Sequence, residues 1–321
     1  MKIQSLLQNS QYQQKRVLEN LICHFQNIKR EQLRTSMDQE ISLDILNKIK
    51  KAYDDFVIDK KPLEYVLGYV EFMNNQFKID SRALIPRPET EYMIQAVNEY
   101  VTTLKNSPPC EGGEGEVFVI QSTDSPLQKG TIGNNILLDI GTGCGVLGLS
   151  VILHNENFFQ QAYLSEYIND TLSLAQENYE IFKPRLGDTK VNLVKSNLLN
   201  FLENSQFSIL NSQLILVANL PYIPDEMFDT NVGENVKNRE PRPAFVGGDD
   251  GLDYYREMFE QIFKLVENGR FKVESGFVMF LEMMTWQVDI LRQEFGDKIS
   301  FEEVKTFHFN IRIVKAQLKI V

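Results

Sequence analysis

A glycine-rich turn between an apolar strand and an apolar helix constrains the fold of this chain most strongly. Residues 139–145 read DIGTGCG, and they join the strand predicted at Ile136–Ile140 to a helix predicted at 146–153. Glycines let a backbone approach a ligand closely, although they also serve in plain tight turns. A dinucleotide fingerprint would need glycine where Val146 stands, and a phosphate-binding loop would need a Lys-Ser/Thr pair that is absent. The turn therefore suits a nucleoside that carries no phosphates.

An acidic residue ends the next apolar strand, which is predicted at 162–166. Glu166 stands at that end. In related doubly wound folds a carboxylate in this place accepts hydrogen bonds from both ribose hydroxyls. A strand end exposed to solvent is the other interpretation of Glu166 taken alone.

The chain alternates strands and helices from residue 135 onward. Strands are predicted at Ile136–Ile140, 162–166, 191–194, Leu214–Ala218, 277–282, and around 304–309 and Ile311–Leu318. Helices are predicted at 146–153, 170–182, 252–265 and 287–295. This order indicates an α/β fold in which a mostly parallel sheet is covered on both faces.

The first part of the chain has a different pattern. Apolar spacing predicts helices over 14–60, and 63–85 suits two short strands around a turn at 73–75, before a helix at 89–104. The Gly- and Pro-rich stretch 106–134 reads as a loop insertion with one stray strand at 117–120. We therefore divide the chain into a helical domain at 1–62, a β-hairpin linker at 63–88 and a main domain at 89–321.

Composition excludes several classes of protein. The 321 residues carry a formal net charge of −11, which disfavours binding nucleic acid by bulk electrostatics. Cys23, Cys110 and Cys144 form no Cys-x-x-Cys pair, so a zinc site is not indicated and a reducing compartment fits. No run approaches the ~18 apolar residues of a membrane span. We expect a cytoplasmic protein, or one in an organelle matrix if the source is eukaryotic.

The strand Leu214–Ala218 continues directly into the motif Asn219-Leu220-Pro221-Tyr222. In an open α/β sheet, ligands bind beyond the carboxyl ends of the strands. The lone pair of a planar NH2 group is delocalised, so a site that acts on such a group must hold it in a fixed orientation. Asn219 and the carbonyl of Leu220 can each accept one N–H, and Tyr222 can pack on the planar group. A plain turn after the strand is the alternative.

The glycine turn with Glu166 resembles motifs I and II of the class I S-adenosylmethionine-dependent methyltransferases. The Asn-Leu-Pro-Tyr segment resembles the [Asn/Asp]-Pro-Pro-Tyr signature of methyltransferases that modify exocyclic or amide nitrogens. Further segments are similar to the HemK/PrmC family, which methylates the glutamine of the Gly-Gly-Gln loop in class I peptide-chain release factors: 62–68 with Glu71, Phe72 and Phe77, then 84–91, Glu240-Pro241 and 247–256.

This resemblance implies a seven-stranded Rossmann-like sheet and a helical N-terminal bundle that grips the release factor. It implies transfer of methyl from S-adenosylmethionine to glutamine N5, without a metal or direct nucleic-acid binding, and we expect a monomer. Cofactor residues would be Gly141, Thr142, Gly143, Cys144, Gly145, Glu166, Asn197, Leu198 and Asn219. The substrate amide would meet Asn219, Leu220, Pro221 and Tyr222, of which Asn219, Pro221 and Tyr222 would be catalytic. Arg87, Glu89 and Thr90 would either border the cofactor pocket or pin the linker.

Two residues depart from the family pattern. Leu220 replaces a proline, but its role belongs to the carbonyl, and a residue before Pro221 already favours extended geometry. Asn197 stands where an aspartate that contacts adenine is common. Asn-Leu-Pro-Tyr is also typical of ribosomal RNA adenine dimethyltransferases, so an N6-adenine methyltransferase acting on RNA or DNA is the alternative function, and a binding protein without catalysis is a third. Glu282 either supports the floor of the site or is a solvated strand end.

Overall fold

The computed structural model describes residues 1–106, 135–203, 213–270, 276–306 and 311–319. Most of the expected insertion at 106–134, including the stray strand at 117–120, lies outside these ranges. The helices within them include none that is both long and apolar enough to cross a membrane.

The N-terminal region is helical, as predicted. It contains α1 (Ile3–Gln8), α2 (Lys15–Gln26), a 3-10 segment (Arg30–Ser36) and α3 (Leu43–Val57). These helices enclose a hydrophobic core of their own, in which Leu18, Leu21 and Ile49 are fully buried. The pattern missed α1, because a helix of six residues shows too few apolar positions to establish a period.

The hairpin is present, but its first predicted strand begins too early. Residues Leu63–Leu67 form a single helical turn, α4, which starts after Pro62 and ends at Gly68 in the left-handed conformation. A proline just before a helix and a glycine just after it are common start and stop signals. Here they favour a helical turn, although the apolar run at 65–67 also suits a strand. The strands are β1 (Tyr69–Phe72) and β2 (Asn75–Lys78), joined by a two-residue turn.

The hairpin packs on the large sheet domain. The ring of Phe77 in β2 lies 4.4 Å from that of Phe182, measured between centroids. The side chain of Asn178 accepts the N–H of Lys78 at 2.7 Å and donates to the carbonyls of Lys78 and of Cys144 in the glycine turn. One buried amide therefore ties the hairpin to the glycine turn.

The rest of the described chain builds one seven-stranded sheet with helices around it. The helices are α5 (Glu91–Asn106), α6 (Val146–His154), α7 (Asn169–Phe182), α8 (Asp225–Asn231), α9 (Glu234–Arg239), α10 (Asp253–Glu267) and α11 (Thr285–Phe295). The strands are β3 (Ile136–Ile140), β4 (Gln161–Glu166), β5 (Lys190–Lys195), β6 (Leu214–Ala218), β7 (Phe277–Met284), β8 (Ile299–Thr306) and β9 (Ile311–Leu318). Their order is β5-β4-β3-β6-β7-β9-β8, which confirms the predicted α/β class.

The sheet is parallel from β5 to β7 and antiparallel at β9 and β8. Strands β3 and β6 are buried at every position, which explains why their sequences are apolar except for Asp139. Alternate residues face two separate cores: Leu137 packs with the α5–α7 side and Leu138 with the α10–α11 side. Strands β4 and β5 follow β3 on one side of it, and the chain then returns to add β6 on the other side. The loops after β3 and β6 therefore meet at a topological switch point.

Three details differ from the sequence prediction. Helix α5 begins at Glu91 rather than at residue 89, because a 3-10 turn at Pro88–Thr90 precedes it. Strand β8 begins at Ile299 rather than near 304, and residues 307–310 lie outside the described ranges. The short polar helices α8 and α9 carry almost no buried side chains, so no apolar period announced them.

Candidate functional site

The glycine turn after β3 has the backbone that its sequence predicts. Gly141, Gly143 and Gly145 all have positive φ, at 69°, 58° and 85°, a region that side chains disfavour. A Cβ on Gly141 would lie 2.9 Å from Leu220 Cδ2, so this glycine lets the turn contact the Asn219 motif. A Cβ on Gly143 would meet nothing within 4 Å. The turn thus presents bare backbone to open space.

A buried carboxylate braces the turn from below. Oδ2 of Asp139 accepts hydrogen bonds from the hydroxyl of Thr142 at 2.5 Å and from the N–H of Gly148 at 2.8 Å. Burial raises the pKa of Asp139 to about 7. Its other oxygen, Oδ1, is buried without a hydrogen-bond partner. Beside it, Cys144 is buried and its pKa is raised to about 12 by burial, which opposes a nucleophilic thiolate.

Glu166 lies against the glycine turn and is not a solvated strand end. Its Oε2 accepts the N–H of Gly143 at 3.1 Å, and its Oε1 accepts the N–H of Ile168 at 2.9 Å. The side chain is 9% exposed, and burial raises its pKa. A carboxylate offers about four acceptor sites, so Glu166 can still accept a hydroxyl group beside its backbone N–H donors.

Asn197 and Leu198 follow β5, the strand beside β4. The N–H of Ser196 donates to the carbonyl of Glu166 at 3.0 Å, which brings this loop next to Glu166. Nδ2 of Asn197 donates to Oε1 of Glu257 at 2.5 Å. Leu198 has a φ of 50°, unusual for a branched side chain. The predicted cofactor residues therefore lie in a row along the carboxyl ends of β3, β4 and β5, except for Asn219, which follows β6.

The Asn219–Tyr222 motif follows β6 and is held by several elements. Nδ2 of Asn219 donates to Oγ1 of Thr90, a residue 129 positions earlier, at 3.0 Å. The N–H of Leu220 donates to the hydroxyl of Tyr255 at 3.3 Å. The hydroxyl of Tyr222 donates to Oε1 of Glu282 at 3.0 Å. These bonds fix the directions in which the Asn219 amide and the Leu220 peptide face.

The loop after the motif is packed as tightly. Nε2 of Gln287 donates to the carbonyls of Tyr222 at 2.7 Å and of Asp250 at 2.8 Å. A Cβ on Gly251 would lie 2.1 Å from the Tyr222 carbonyl, and one on Gly247 would lie 2.3 Å from the Pro221 carbonyl. At both positions, any side chain would collide with a backbone carbonyl of the motif.

Arg87 contacts different surroundings from Thr90, whereas the Glu89 carboxyl lies near Tyr222 and Glu282. Arg87 forms an ion pair of 2.8 Å with Glu240, whose carboxyl also accepts the N–H of Ile85 at 3.0 Å. This pair pins the segment before α5 to the loop after α9, which is the structural interpretation considered above. Thr90 alone of the three contacts the Asn219 motif through a hydrogen bond described here.

Sequence reasoning left Glu282 between two interpretations and missed three further side chains of the site. Glu282 had a weak signal as an acid at the end of an apolar strand, and the structure shows it 1% exposed rather than solvated. Glu257, Tyr255 and Gln287 lie on α10 and α11 and had no local signal. Their roles follow only from how those helices pack on the sheet.

The arrangement fits a nucleoside cofactor and a planar amino group. Open space lies beside Gly143, whose N–H bonds the carboxylate of Glu166. Asn197 follows the neighbouring strand β5, and Asn219 follows β6 on the other side of the switch point. In the described ranges, no group of three or more His, Cys, Asp or Glu side chains could hold a metal ion. The chemistry that the described site offers is hydrogen bonding and orientation.

Comparison with known proteins agrees with the geometry. No family model matches the chain. It is 29% identical over 248 residues to a release factor glutamine methyltransferase from Bacillus cereus, covering 76% of this chain and 73% of that protein. It is 26% identical over 305 residues to one from Francisella tularensis, covering 94% and 89%.

Solved structures resemble the chain more distantly. The N-terminal domain of human METTL16 in complex with SAH is 13% identical with a TM-score of 0.48, covering 96% of this chain and 97% of that one. A methyltransferase from Pyrococcus furiosus is 13% identical with a TM-score of 0.44, covering 87% and 99%. On its sequence relatives and its sheet order, the chain is a class I S-adenosylmethionine-dependent methyltransferase, and its resemblance to the HemK/PrmC family is confirmed.

Proposed function

We propose that this protein transfers a methyl group from S-adenosylmethionine to N5 of the glutamine in the Gly-Gly-Gln loop of class I peptide-chain release factors. The observation that carries the proposal is the Asn219–Tyr222 motif, which lies at the switch point in contact with the glycine turn. The names of the sequence relatives favour glutamine over other amino groups.

The residues divide into two groups in this proposal. The glycine turn with Thr142 and Cys144, Glu166, Asn197 and Leu198 bind the cofactor, whose sulfonium supplies an electrophilic methyl group. Asn219, Leu220, Pro221 and Tyr222 bind the glutamine amide. Oδ1 of Asn219 and the carbonyl of Leu220 accept its two N–H groups, and the ring of Tyr222 packs on its plane. Orientation of the nitrogen lone pair is then the main contribution of the protein to the rate.

Two features of the site support this use of the motif. The NH2 group of Asn219 already donates a hydrogen bond to the Thr90 hydroxyl. The amide oxygen of Asn219 is therefore left to accept a substrate N–H. Tyr255 accepts the N–H of Leu220 and donates to the carbonyl of Glu282, which holds the peptide between Asn219 and Leu220 relative to β7. Leucine in place of the usual proline leaves the acceptor available, because every residue carries a backbone carbonyl.

An N6-adenine methyltransferase is the second candidate, because adenine presents a similar planar NH2 group. A net charge of −11 disfavours it, since RNA and DNA binding requires surplus Lys and Arg near the phosphates. In our proposal the partner is the folded release factor, bound by a monomer without direct nucleic-acid contact. The place of action is then that of translation, the cytoplasm or an organelle matrix.

One experiment separates these candidates. The protein is incubated with methyl-labelled S-adenosylmethionine and a folded class I release factor, or its Gln→Ala version in the Gly-Gly-Gln loop, or ribosomal RNA. We expect label on the intact release factor only. Label on the Gln→Ala version, or on RNA alone, would overturn the proposed substrate.

Restoring the aspartate common in the family at Asn197 should weaken cofactor binding here. In Asn197→Asp a second carboxylate would face Glu257 at the 2.5 Å contact, and like charges this close repel. We expect the Kd of S-adenosylhomocysteine to rise by about tenfold, equivalent to roughly 1.4 kcal/mol. Isothermal titration calorimetry measures this change.

Adding Glu257→Gln to Asn197→Asp gives the control, because the neutral amide at position 257 can donate a hydrogen bond to the new aspartate. The double variant should regain most of the affinity, which gives a coupling energy in a double-mutant cycle. Equal weakening in the single and double variants would contradict this account of Asn197.

A further inference from the structure

The proposed function leaves one buried carboxyl group of the site without a role. Glu282 is 1% exposed and lies near the carboxyl end of β7. Leu281 pairs with Ala218 in the neighbouring strand, so Glu282 lies beside Asn219. Its backbone carbonyl accepts the hydroxyl of Tyr255 at 2.5 Å, which holds this part of the strand in place.

Three polar side chains surround the Glu282 carboxyl group. The hydroxyl of Tyr222 donates to Oε1 at 3.0 Å. Thr90 and Asn219 also face the group and favour its ionised form. Oε2 completes no hydrogen bond of normal geometry, although it is buried. A buried carboxylate oxygen is costly unless a donor serves it.

The hydroxyl of Thr90 connects this carboxyl group to Asn219. Thr90 has a single O–H hydrogen, and its oxygen already accepts Nδ2 of Asn219. A carboxylate can only accept, so an ionised Glu282 draws the Thr90 hydrogen toward itself. The lone pairs of Thr90 then remain directed at the NH2 group of Asn219, and the amide oxygen is left for the substrate.

We propose that Glu282 is a positioning residue for methyl transfer: through the hydroxyls of Thr90 and Tyr222, its carboxylate holds Oδ1 of Asn219 and the ring of Tyr222 toward the substrate amide. This inference rests on the proposed function, since it concerns how that site holds its amide. Glu282 does not itself touch the reacting atoms.

Protonation of Glu282 should undo this arrangement. A carboxylic acid donates, so it competes for the oxygen of Thr90 or Tyr222 and frees the Asn219 amide to turn. Burial, with a smaller effect of the neighbouring Glu89 carboxyl, raises the pKa of Glu282 to about 7, although the bonds from Thr90, Tyr222 and Asn219 oppose the rise. The hydroxyls of Tyr222 and Tyr255 also titrate and lie against it, and both stay neutral because burial raises their pKa values. Turnover should therefore fall as the pH drops through about 7.

The test compares the wild-type protein with Glu282→Gln in the full chain. Gln is isosteric and can accept from Tyr222, but its NH2 group donates where the carboxylate accepts. We expect kcat to fall by about 10- to 100-fold and the KM for S-adenosylmethionine to stay within about twofold. The loss of rate on the acid side of pH 7 should disappear in this variant.

Thermal stability distinguishes positioning from a structural role. Because the folded-state pKa of Glu282 is raised from 4.5 to about 7, its contribution favours folding at low pH and is lost as the pH rises across that window. At a pH above 7 an ionised Glu282 carries the cost of burying a charge, and the neutral amide of glutamine removes that cost. The Tm of Glu282→Gln should therefore be unchanged or higher, while kcat falls.

Two further variants complete the design. Glu302→Gln removes an exposed carboxylate on β8 and should keep the wild-type rate and pH profile. Tyr222→Phe removes a donor to Glu282, so the acid-side midpoint should move to higher pH. Carbon-13 NMR of the Glu282 carboxyl in the free enzyme gives the same midpoint without any substrate.

The outcomes separate the two proposals. Methylation of the release factor by the wild-type protein tests the proposed function alone. Wild-type kcat in Glu282→Gln, or a joint fall of kcat and Tm, would overturn the positioning role. An NMR midpoint near 4.5, unmoved by Tyr222→Phe, would overturn it even if the substrate were a different amino group.

Discussion

Replacing Asn219 with alanine should lower kcat on the release factor by about a hundred- to a thousandfold, the range seen when one preorganised polar group is removed from an active site. The substitution deletes the oxygen that accepts a substrate N–H, and it also removes the NH2 group that donates to the Thr90 hydroxyl. Cofactor affinity should change little, because the Gly143 backbone and Glu166 lie on the other side of the switch point. Steady-state kinetics and calorimetry with S-adenosylhomocysteine measure the two effects separately.

Asn268→Ala is a suitable control. Asn268 is exposed just after α10, in the chain that returns to the start of β7, at the opposite edge of the sheet from the site. It should leave kcat at the wild-type value. If Asn219→Ala retained the wild-type rate, the assignment of the amide acceptor to Asn219 would be wrong.

Replacing Glu166 with alanine should raise the Kd of the cofactor by about a hundredfold, since hydrogen bonds to a charged group contribute roughly 1.5–3 kcal/mol. The carboxylate is the only acceptor that we assign to the ribose hydroxyls, and it also bonds the N–H of Gly143 in the glycine turn. Calorimetric titration with S-adenosylhomocysteine provides the measurement.

The same titration with Glu166→Gln should show a smaller loss, because one acceptor oxygen remains. Glu180→Ala, which changes an exposed acid on α7, should bind like the wild-type protein. A Glu166→Ala variant with normal affinity and a normal Tm would mean that the nucleoside lies elsewhere.

The main sheet could be predicted because its central strands are buried on both faces. For that reason Leu214–Ala218 is wholly apolar and Ile136–Ile140 is apolar except for Asp139, and both strands matched residue for residue. Short elements were less predictable. The apolar run at 65–67 suits a strand or a helical turn equally, and only the flanking Pro62 and Gly68 distinguish the two.

The candidate site divides in the same way. Residues directly after parallel strands share one edge of the sheet, so Gly143, Glu166 and Asn219 could be placed together from sequence alone. Glu257, Tyr255 and Gln287 could not, because they reach the site from helices whose rotation about their axes is set by packing. Thr90 was named only through resemblance, and its bond to Asn219 depends on where α5 begins.

The hydrogen bond between Thr90 and Asn219 has a consequence for how the protein folds. It joins residues 129 positions apart, and the site as a whole draws on residues from Thr90 to Gln287. Contacts this distant in sequence form only after long loops have closed, which slows folding. Binding of S-adenosylhomocysteine should therefore be among the last properties regained during refolding from denaturant, after helical circular dichroism has recovered.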